Sequence, residues 1–296
     1  MHEKRKWQTS DIPSMAGRVA LVTGGDHGLG AEITRVLTQH GATVIIVGNA
    51  SARMEAFAQK FSPRLAHYYL DLGNLNSVTK CAAEVLEQYD HLDLLINNAG
   101  VMMLPYGVSK QGFERHFAIN HLGHFALSGL LFPLISKVPG GRVVTMSSNG
   151  HKIPGLSFAD VRSDKDYHPM KAYGRSKLAN LLFTQELARR LASAGVDMLS
   201  LASHPGQSST NPHGTTGFKT LLDRILGQST ARGAEPALRA ATDPTAQQGD
   251  YFGPGGFLEL RGDAVRVRPA PAALDEAAAR KLWELSEKWT GVQFPG

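Results

Sequence analysis

Arg18-Val-Ala-Leu-Val-Thr-Gly-Gly-Asp-His-Gly-Leu-Gly-Ala-Glu-Ile-Thr-Arg-Val-Leu-Thr-Gln-His40 sets an apolar, β-rich run, a glycine turn and a helix-forming segment in immediate succession. A strand that ends at Thr23 and a helix from Ala31 to His40 leave Thr23-Gly24-Gly25-Asp26-His27-Gly28-Leu29-Gly30 as the connection. Glycine tolerates positive φ and lets backbone N–H groups approach a pyrophosphate at the positive end of a helix, which gives Gly24, Gly28 and Gly30 a physical role. A tight βα turn without a ligand is the alternative. The spacing Gly-x-x-x-Gly-x-Gly also departs from the commoner dinucleotide pattern, so the reading needs support from elsewhere in the chain.

Outward from that unit, short apolar runs alternate with helical stretches, the pattern of βαβ units and a parallel sheet. Strand candidates are Arg18–Thr23, Thr43–Val47, Leu65–Leu70, Leu92–Asn97, Arg142–Ser147 and Asp197–Ser203, and Gly249–Phe252 adds a seventh. Because the runs are continuously apolar, both faces should be buried, which predicts an α/β doubly wound Rossmann-type sheet between two helix layers. The expected organisation is a polar tail over 1–15 and one domain over 16–296, with substrate loops at about 151–170 and 205–230. With 296 residues, 42% of them hydrophobic, the chain is long enough for one large core. The N-terminus carries no apolar leader, and nowhere do about 18 uncharged apolar residues run together, so no membrane span and a cytoplasmic location are expected. A single cysteine, Cys81, excludes an internal disulfide. The net charge of +5 is concentrated at Lys4-Arg5-Lys6, which reads as a solvated tail and not as a nucleic-acid footprint.

The support comes from Tyr173-Gly-Arg-Ser-Lys177, where the chain resembles the short-chain dehydrogenase/reductase family. Motifs follow in that family's order from about residue 16 to beyond 260. Thr23 to Gly30 resembles its cofactor turn, Asp71-Leu72 its adenine contact, and Asn97-Asn98-Ala99-Gly100 its signature after the fourth strand. Asn120 and Ser148 fall at its catalytic asparagine and serine, and His204-Pro205-Gly206 with Thr210 at its nicotinamide loop. The resemblance thus implies a catalytic set of Tyr173, Lys177, Ser148 and Asn120. It implies a cofactor site of Gly24, Asp26, His27, Gly28, Leu29, Gly30, Asn49, Asp71, Leu72, Asn98, Ala99, Gly100, Tyr173, Lys177, Pro205, Gly206 and Thr210.

The residue chemistry is consistent with these roles. Tyr173 and Lys177 lie four apart on a helix predicted over Lys171–Leu191, so they share a face, and a nearby cation favours the phenolate. Taken alone, the pair is more simply a surface couple at helical spacing; behind a serine that ends a strand it reads as an acid–base pair. The reaction expected is hydride transfer between a nicotinamide cofactor and a carbonyl/alcohol pair, with Tyr173 as general acid/base and Ser148 stabilising the oxygen. By resemblance, Lys177 also reaches the ribose and Asn120 shapes its helix so that a water connects Lys177 to solvent.

At the end of the second strand, Val47-Gly48-Asn49-Ala50 lacks the carboxylate that selects NAD, and His27 and Arg53 are candidates for a 2′-phosphate, so NADP(H) is favoured over NAD(H). The segment between Ser148 and Tyr173, with Gly112–Phe117 and Leu282–Ser286, resembles the branch of retinol dehydrogenases, WW-domain oxidoreductases and protochlorophyllide reductases, which implies an apolar carbonyl substrate. Phe218, Leu221, Leu222, Ile225 and Leu226 form a helical stripe that suits either a substrate lid or an ordinary packed helix. His116, His121 and His124 cluster, but Glu114 lies on a poorly matching face and no metal is expected. Trp283 and Trp289 mark a C-terminal helix that buries itself on its own domain or on a second subunit of a homo-oligomer. A non-catalytic dinucleotide-binding scaffold is the competing function.

Overall fold

The computed structural model describes residues 6–153, 158, 161, 167–206 and 229–294. Its strands are β1 (Val19–Thr23), β2 (Thr43–Gly48), β3 (Leu65–Tyr69), β4 (Leu94–Asn97), β5 (Gly141–Met146), β6 (Met198–Ser203), β7 (Tyr251–Pro254) and β8 (Ala264–Arg266). The helices are α1 (Gly28–Gln39), α2 (Ser51–Ala58), α3 (Leu75–Gln88), α4 (Arg115–Ile135), α5 (Pro169–Ala194), α6 (Thr230–Thr242) and α7 (Glu276–Thr290). Together the strands make one sheet in the order β3-β2-β1-β4-β5-β6-β7-β8, parallel except for the β7–β8 pair. This is the expected doubly wound architecture, with the direction of winding reversing between β1 and β4.

Alternation along the strands explains the two cores. Ala20, Val22, Val44 and Ile46 face one side, where Ile33 and Leu37 of α1 and Leu238 and Ala241 of α6 cover them. Leu21, Ile45, Leu95 and Val143 face the other, against Val85 of α3, Phe125 and Leu131 of α4, and Phe183 and Leu187 of α5. Each such fully buried aliphatic or aromatic side chain contributes about 1.5–3 kcal/mol.

One expectation changes, and one strand was not foreseen. From Lys6 onward the supposed polar tail lies on the fold: Trp7, Ile12 and Met15 join the α1/α6 core, and Lys6 pairs with Asp263 at 2.9 Å. Strand β8 escaped the sequence reading because three residues are too few to show a period. Helix α4 has the length and mean hydropathy of a membrane span, yet it is mostly buried inside the fold. At the C-terminus, α7 packs on its own chain, with the Trp283 ring stacked on Phe183 at 5.8 Å.

Candidate active site

The carboxyl ends of β1, β4, β5 and β6 open on one crevice, which is where doubly wound sheets place their ligands. At its floor, Thr23 Oγ1 accepts hydrogen bonds from the Asn98 and Ala99 amides at 2.9 and 2.8 Å, and Asn98 Nδ2 donates to the Thr23 carbonyl at 2.8 Å. With both amides on its oxygen, the Thr23 hydroxyl is left to donate to His124 Nε2, 2.9 Å away, while His124 Nδ1 donates to the Asn120 carbonyl at 3.0 Å. This tautomer follows from the partners. His124 therefore joins the glycine turn to the Asn120 segment, a role that its spacing of four from Asn120 hints at and the sequence reading missed.

Asn120 sits in a π-helical turn, Ala118–Leu122, that interrupts α4. Its Oδ1 accepts from the Val101 amide at 2.8 Å, and its Nδ2 donates to the Val101 carbonyl and to Ser176 Oγ at 3.0 and 2.9 Å. Ser176 in turn donates to the Tyr173 carbonyl at 2.7 Å. Lys177 is buried and donates to the Met146 carbonyl at 3.1 Å, an acceptor shared with Asn180 Nδ2 at 2.9 Å. A methyl group added at Gly100 would stand 3.2 Å from Asn120 Oδ1 and 3.4 Å from Lys177 Nζ, so Gly100, Asn120 and Lys177 meet at one point.

Ser148 caps a short 3-10 turn, Asn149–Lys152, by accepting from the Gly150 amide at 3.2 Å, and its hydroxyl stands near enough to the Tyr173 phenol to influence its pKa. Burial raises the phenol pKa and the Ser148 contact moderates the rise. The Lys177 ammonium, 5.8 Å from the centre of the Tyr173 ring, is itself pushed down to about 8 by burial. The cation expected to favour the phenolate thus has less effect than desolvation, and Tyr173 is a neutral phenol at pH 7. The four residues proposed from the sequence are nonetheless brought to one place, on α4, α5 and the end of β5.

The cofactor turn has the form a pyrophosphate needs. A Cβ at Gly30 would collide with the Gly24 carbonyl and lie 2.7 Å from Asn98 Nδ2, so only glycine lets the turn close on the strand. Helix α1 starts at Gly28 with no side-chain cap from His27, leaving first-turn amides for an anion. Leu29 is partly buried against the α1/α6 core. Asp26 is buried, and although burial alone would raise its pKa, His27 (3.1 Å) and the Arg53 guanidinium hold it below the ordinary carboxylate value. Asn49 is exposed at the end of β2. Asp71 accepts from the Gly73 amide at 2.9 Å, and Leu72 is buried in the α3/α4/α5 core. Pro205 and Gly206 follow β6 at the crevice, whereas Thr210 and the stripe from Phe218 to Leu226 lie outside the described residues.

The three histidines serve three separate contacts. His116 Nδ1 meets Glu114 Oε1 at 2.6 Å, His121 Nε2 meets Ser286 Oγ at 2.9 Å, and His124 is bound as above. Glu114 was misplaced by the helical-face argument because it is the N-cap of α4, accepting from the His116 and Phe117 amides at 2.8 and 3.0 Å, and caps do not follow helical periodicity. Among the described residues no three His, Cys, Asp or Glu side chains assemble as a metal site.

The short chain dehydrogenase family profile matches residues 18–215, and the chain belongs to that family. Retinol dehydrogenase 14 of Mus musculus is 35% identical over 313 residues, covering 98% of this chain and 90% of the relative. A crystal structure of an uncharacterised protein from Mycobacterium paratuberculosis is 37% identical, with a TM-score of 0.84, and covers 99% of this chain and 100% of that one. A blue fluorescent protein from a metagenomic library, solved in complex with NADPH, is 25% identical with a TM-score of 0.65, over 80% of this chain and 96% of its own. The protein is therefore an oxidoreductase that uses a nicotinamide dinucleotide, in the retinol dehydrogenase-like branch of the family.

Proposed function

We propose that the protein interconverts an apolar carbonyl compound and its alcohol, with Tyr173 as the general acid/base. The carrying observation is the Tyr173 phenol set beside Ser148, one helical turn from the buried Lys177, at the carboxyl edge of β5. A nicotinamide dinucleotide held by the glycine turn, Asn98–Gly100 and Pro205–Gly206 supplies or accepts the hydride. In reduction, the neutral Tyr173 phenol gives its proton to the substrate oxygen while Ser148 donates a second hydrogen bond to it. Lys177, its pKa pushed down to about 8 by burial, restores that proton from its ammonium, and Asn120 keeps the Val101 and Ser176 segments in register around it.

Apolar substrates are supported by the rim and by the relatives. Met102 (53% exposed) and Met103 (46%) continue the chain from Gly100-Val101, and Phe257 (78%) and Leu258 (68%) lie beside Asn149. Curated relatives at 34–36% identity are named retinol dehydrogenases. NADP(H) is proposed over NAD(H), because Asp26, the carboxylate that stands against the end of β2, is buried and countered by the exposed Arg53 and His27. Parallel titration with NADPH and NADH, followed by turnover of apolar aldehydes and ketones, tests the reading. Tyr173→Phe should lower kcat by about 10²–10⁴-fold and bind nucleotide as the parent does. Failure of the parent to bind either nucleotide would refute the proposal, and an unchanged kcat in the variant would remove Tyr173 from the mechanism.

A further inference from the structure

The hairpin between β7 and β8 carries Phe257-Leu258-Glu259, and both Leu258 (φ 49°) and Glu259 (φ 55°) adopt the left-handed backbone region. Such a conformation costs about 1–3 kcal/mol per non-glycine residue and persists where surrounding contacts impose it. Here those contacts centre on the Glu259 carboxylate. Its Oε2 lies 3.0 Å from Nε2 of the fully buried His204 and 2.9 Å from Nζ of Lys152. The two partners come from different segments. His204 opens the loop after β6, and its Nδ1 accepts from the Gly206 amide at 3.3 Å, which leaves Nε2 as the protonated nitrogen that faces Glu259. Lys152 ends the turn that Ser148 caps.

The hairpin backbone touches the same two segments. Asn149 Nδ2 donates to the Leu258 and Glu259 carbonyls at 3.3 and 3.4 Å. A Cβ at Gly206 (φ 66°) would stand 2.5 Å from the Leu260 carbonyl, and one at Gly253 would collide with the His204 ring. His151, next in the Ser148 turn, adds a further tie by accepting from the Ala270 amide at 3.1 Å, just beyond β8. One acidic side chain, 23% exposed, therefore joins three pieces of chain that sequence places about fifty residues apart from one to the next.

We propose that Glu259 is a positioning residue, whose carboxylate, bound to His204 and Lys152, sets the distance between the Ser148 turn and the Pro205-Gly206 loop. The inference rests on the functional reading above, in which Ser148 orients the substrate oxygen and Pro205-Gly206 borders the nicotinamide. Its physical content is that the β5–β6 ladder fixes register only as far as Ser147 and Ser203, that the Ser148 turn and the Pro205-Gly206 loop lie beyond it, and that misplacement by about 1 Å costs up to about 10²-fold in rate. The Glu259–Lys152 contact is an ion pair by distance, while Glu259 Oε2 and His204 Nε2 meet without hydrogen-bond geometry.

The test compares the parent with Glu259→Gln, Glu259→Asp and Lys152→Met by amide hydrogen exchange without nucleotide, binding of NADPH and of adenosine 2′,5′-bisphosphate, and steady-state kinetics. Glu259→Gln should accelerate exchange in the peptides spanning 147–153 and 203–206 and leave the β1–α1 peptide unchanged. Binding of adenosine 2′,5′-bisphosphate, which reaches only the glycine-turn end, should stay within about twofold, while kcat falls by about tenfold or more. Glu259→Asp should recover part of the loss, and Lys152→Met, at a half-exposed position, should reproduce the exchange effect in the Ser148 turn even if Glu259→Gln does not fold. A kcat within twofold of the parent, or exchange loosened equally in β1–α1, overturns the proposal. Failure of the parent to bind NADPH would count against the functional reading alone, since the exchange pattern is measured without nucleotide.

Discussion

Lys177 shows how a single buried group is useful and costly at once. Burial lowers its pKa from the ordinary 10.5 to about 8, so the folded chain releases this proton more readily than the unfolded chain. Between pH 8 and 10.5 the unfolded state binds more protons, and stability contributed by this residue rises with pH through that window. At neutral pH the full penalty remains, on the order of 3 kcal/mol. Replacing Lys177 by Met should abolish turnover and stabilise the fold by about 1–3 kcal/mol at pH 7. The Met146 carbonyl keeps Asn180 as a donor, so no orphaned acceptor offsets the gain. Denaturant unfolding at pH 7 and pH 10 checks this: the gap between variant and parent should shrink at the higher pH. A variant less stable than the parent would show that the ammonium's contacts outweigh its desolvation.

At the level of elements, β1, the glycine turn and α1 act as one unit, and Gly30 is where it is most sensitive. Gly30→Ala places a methyl group against the Gly24 carbonyl and Asn98 Nδ2. Overpacking of this kind should cost about 1–3 kcal/mol, read as a lower denaturation midpoint, with NADPH binding weakened at least tenfold because the turn can no longer close. Wild-type affinity in the variant would mean that the turn is not the pyrophosphate site. This unit was readable from the sequence because strand, turn and helix signals are all local. The π turn around Asn120 and the N-cap at Glu114 were not, since each departs from regular helical periodicity.

Across the whole molecule, three buried histidines tie distant elements together in their neutral form. Burial pushes His121 down to about 3 and His124 and His151 down to about 4. These histidines join α4 to α7, to β1 and, through Ala270, the Ser148 turn to the segment after β8. Because their folded values lie below the ordinary 6.5, their stabilisation is complete above pH 6.5 and is lost as pH falls towards 4. Each costs about 1.4 kcal/mol per pH unit in that window, so by pH 4 the three together remove on the order of 10 kcal/mol, comparable with a typical stability of about 5–15 kcal/mol. Urea unfolding at pH 7, 6 and 5 should show a falling midpoint with proton uptake on unfolding. A flat profile would mean that these imidazoles are already charged in the fold.

The sequence by itself determined the alternation of strands and helices through β7 and the burial of the sheet on both faces, because these depend on local periodicity, and its resemblance to the family singled out Tyr173, Lys177, Ser148 and Asn120 as candidates. Only the tertiary structure decided what the side chains do to one another. The phenol is held neutral by burial despite a lysine four residues away, Asp26 is countered by Arg53 from a different element, and Glu259 spans two loops from a hairpin whose second strand is too short to read. Desolvation and long-range ion pairing depend on which segments meet in space, and no local pattern of residues encodes that.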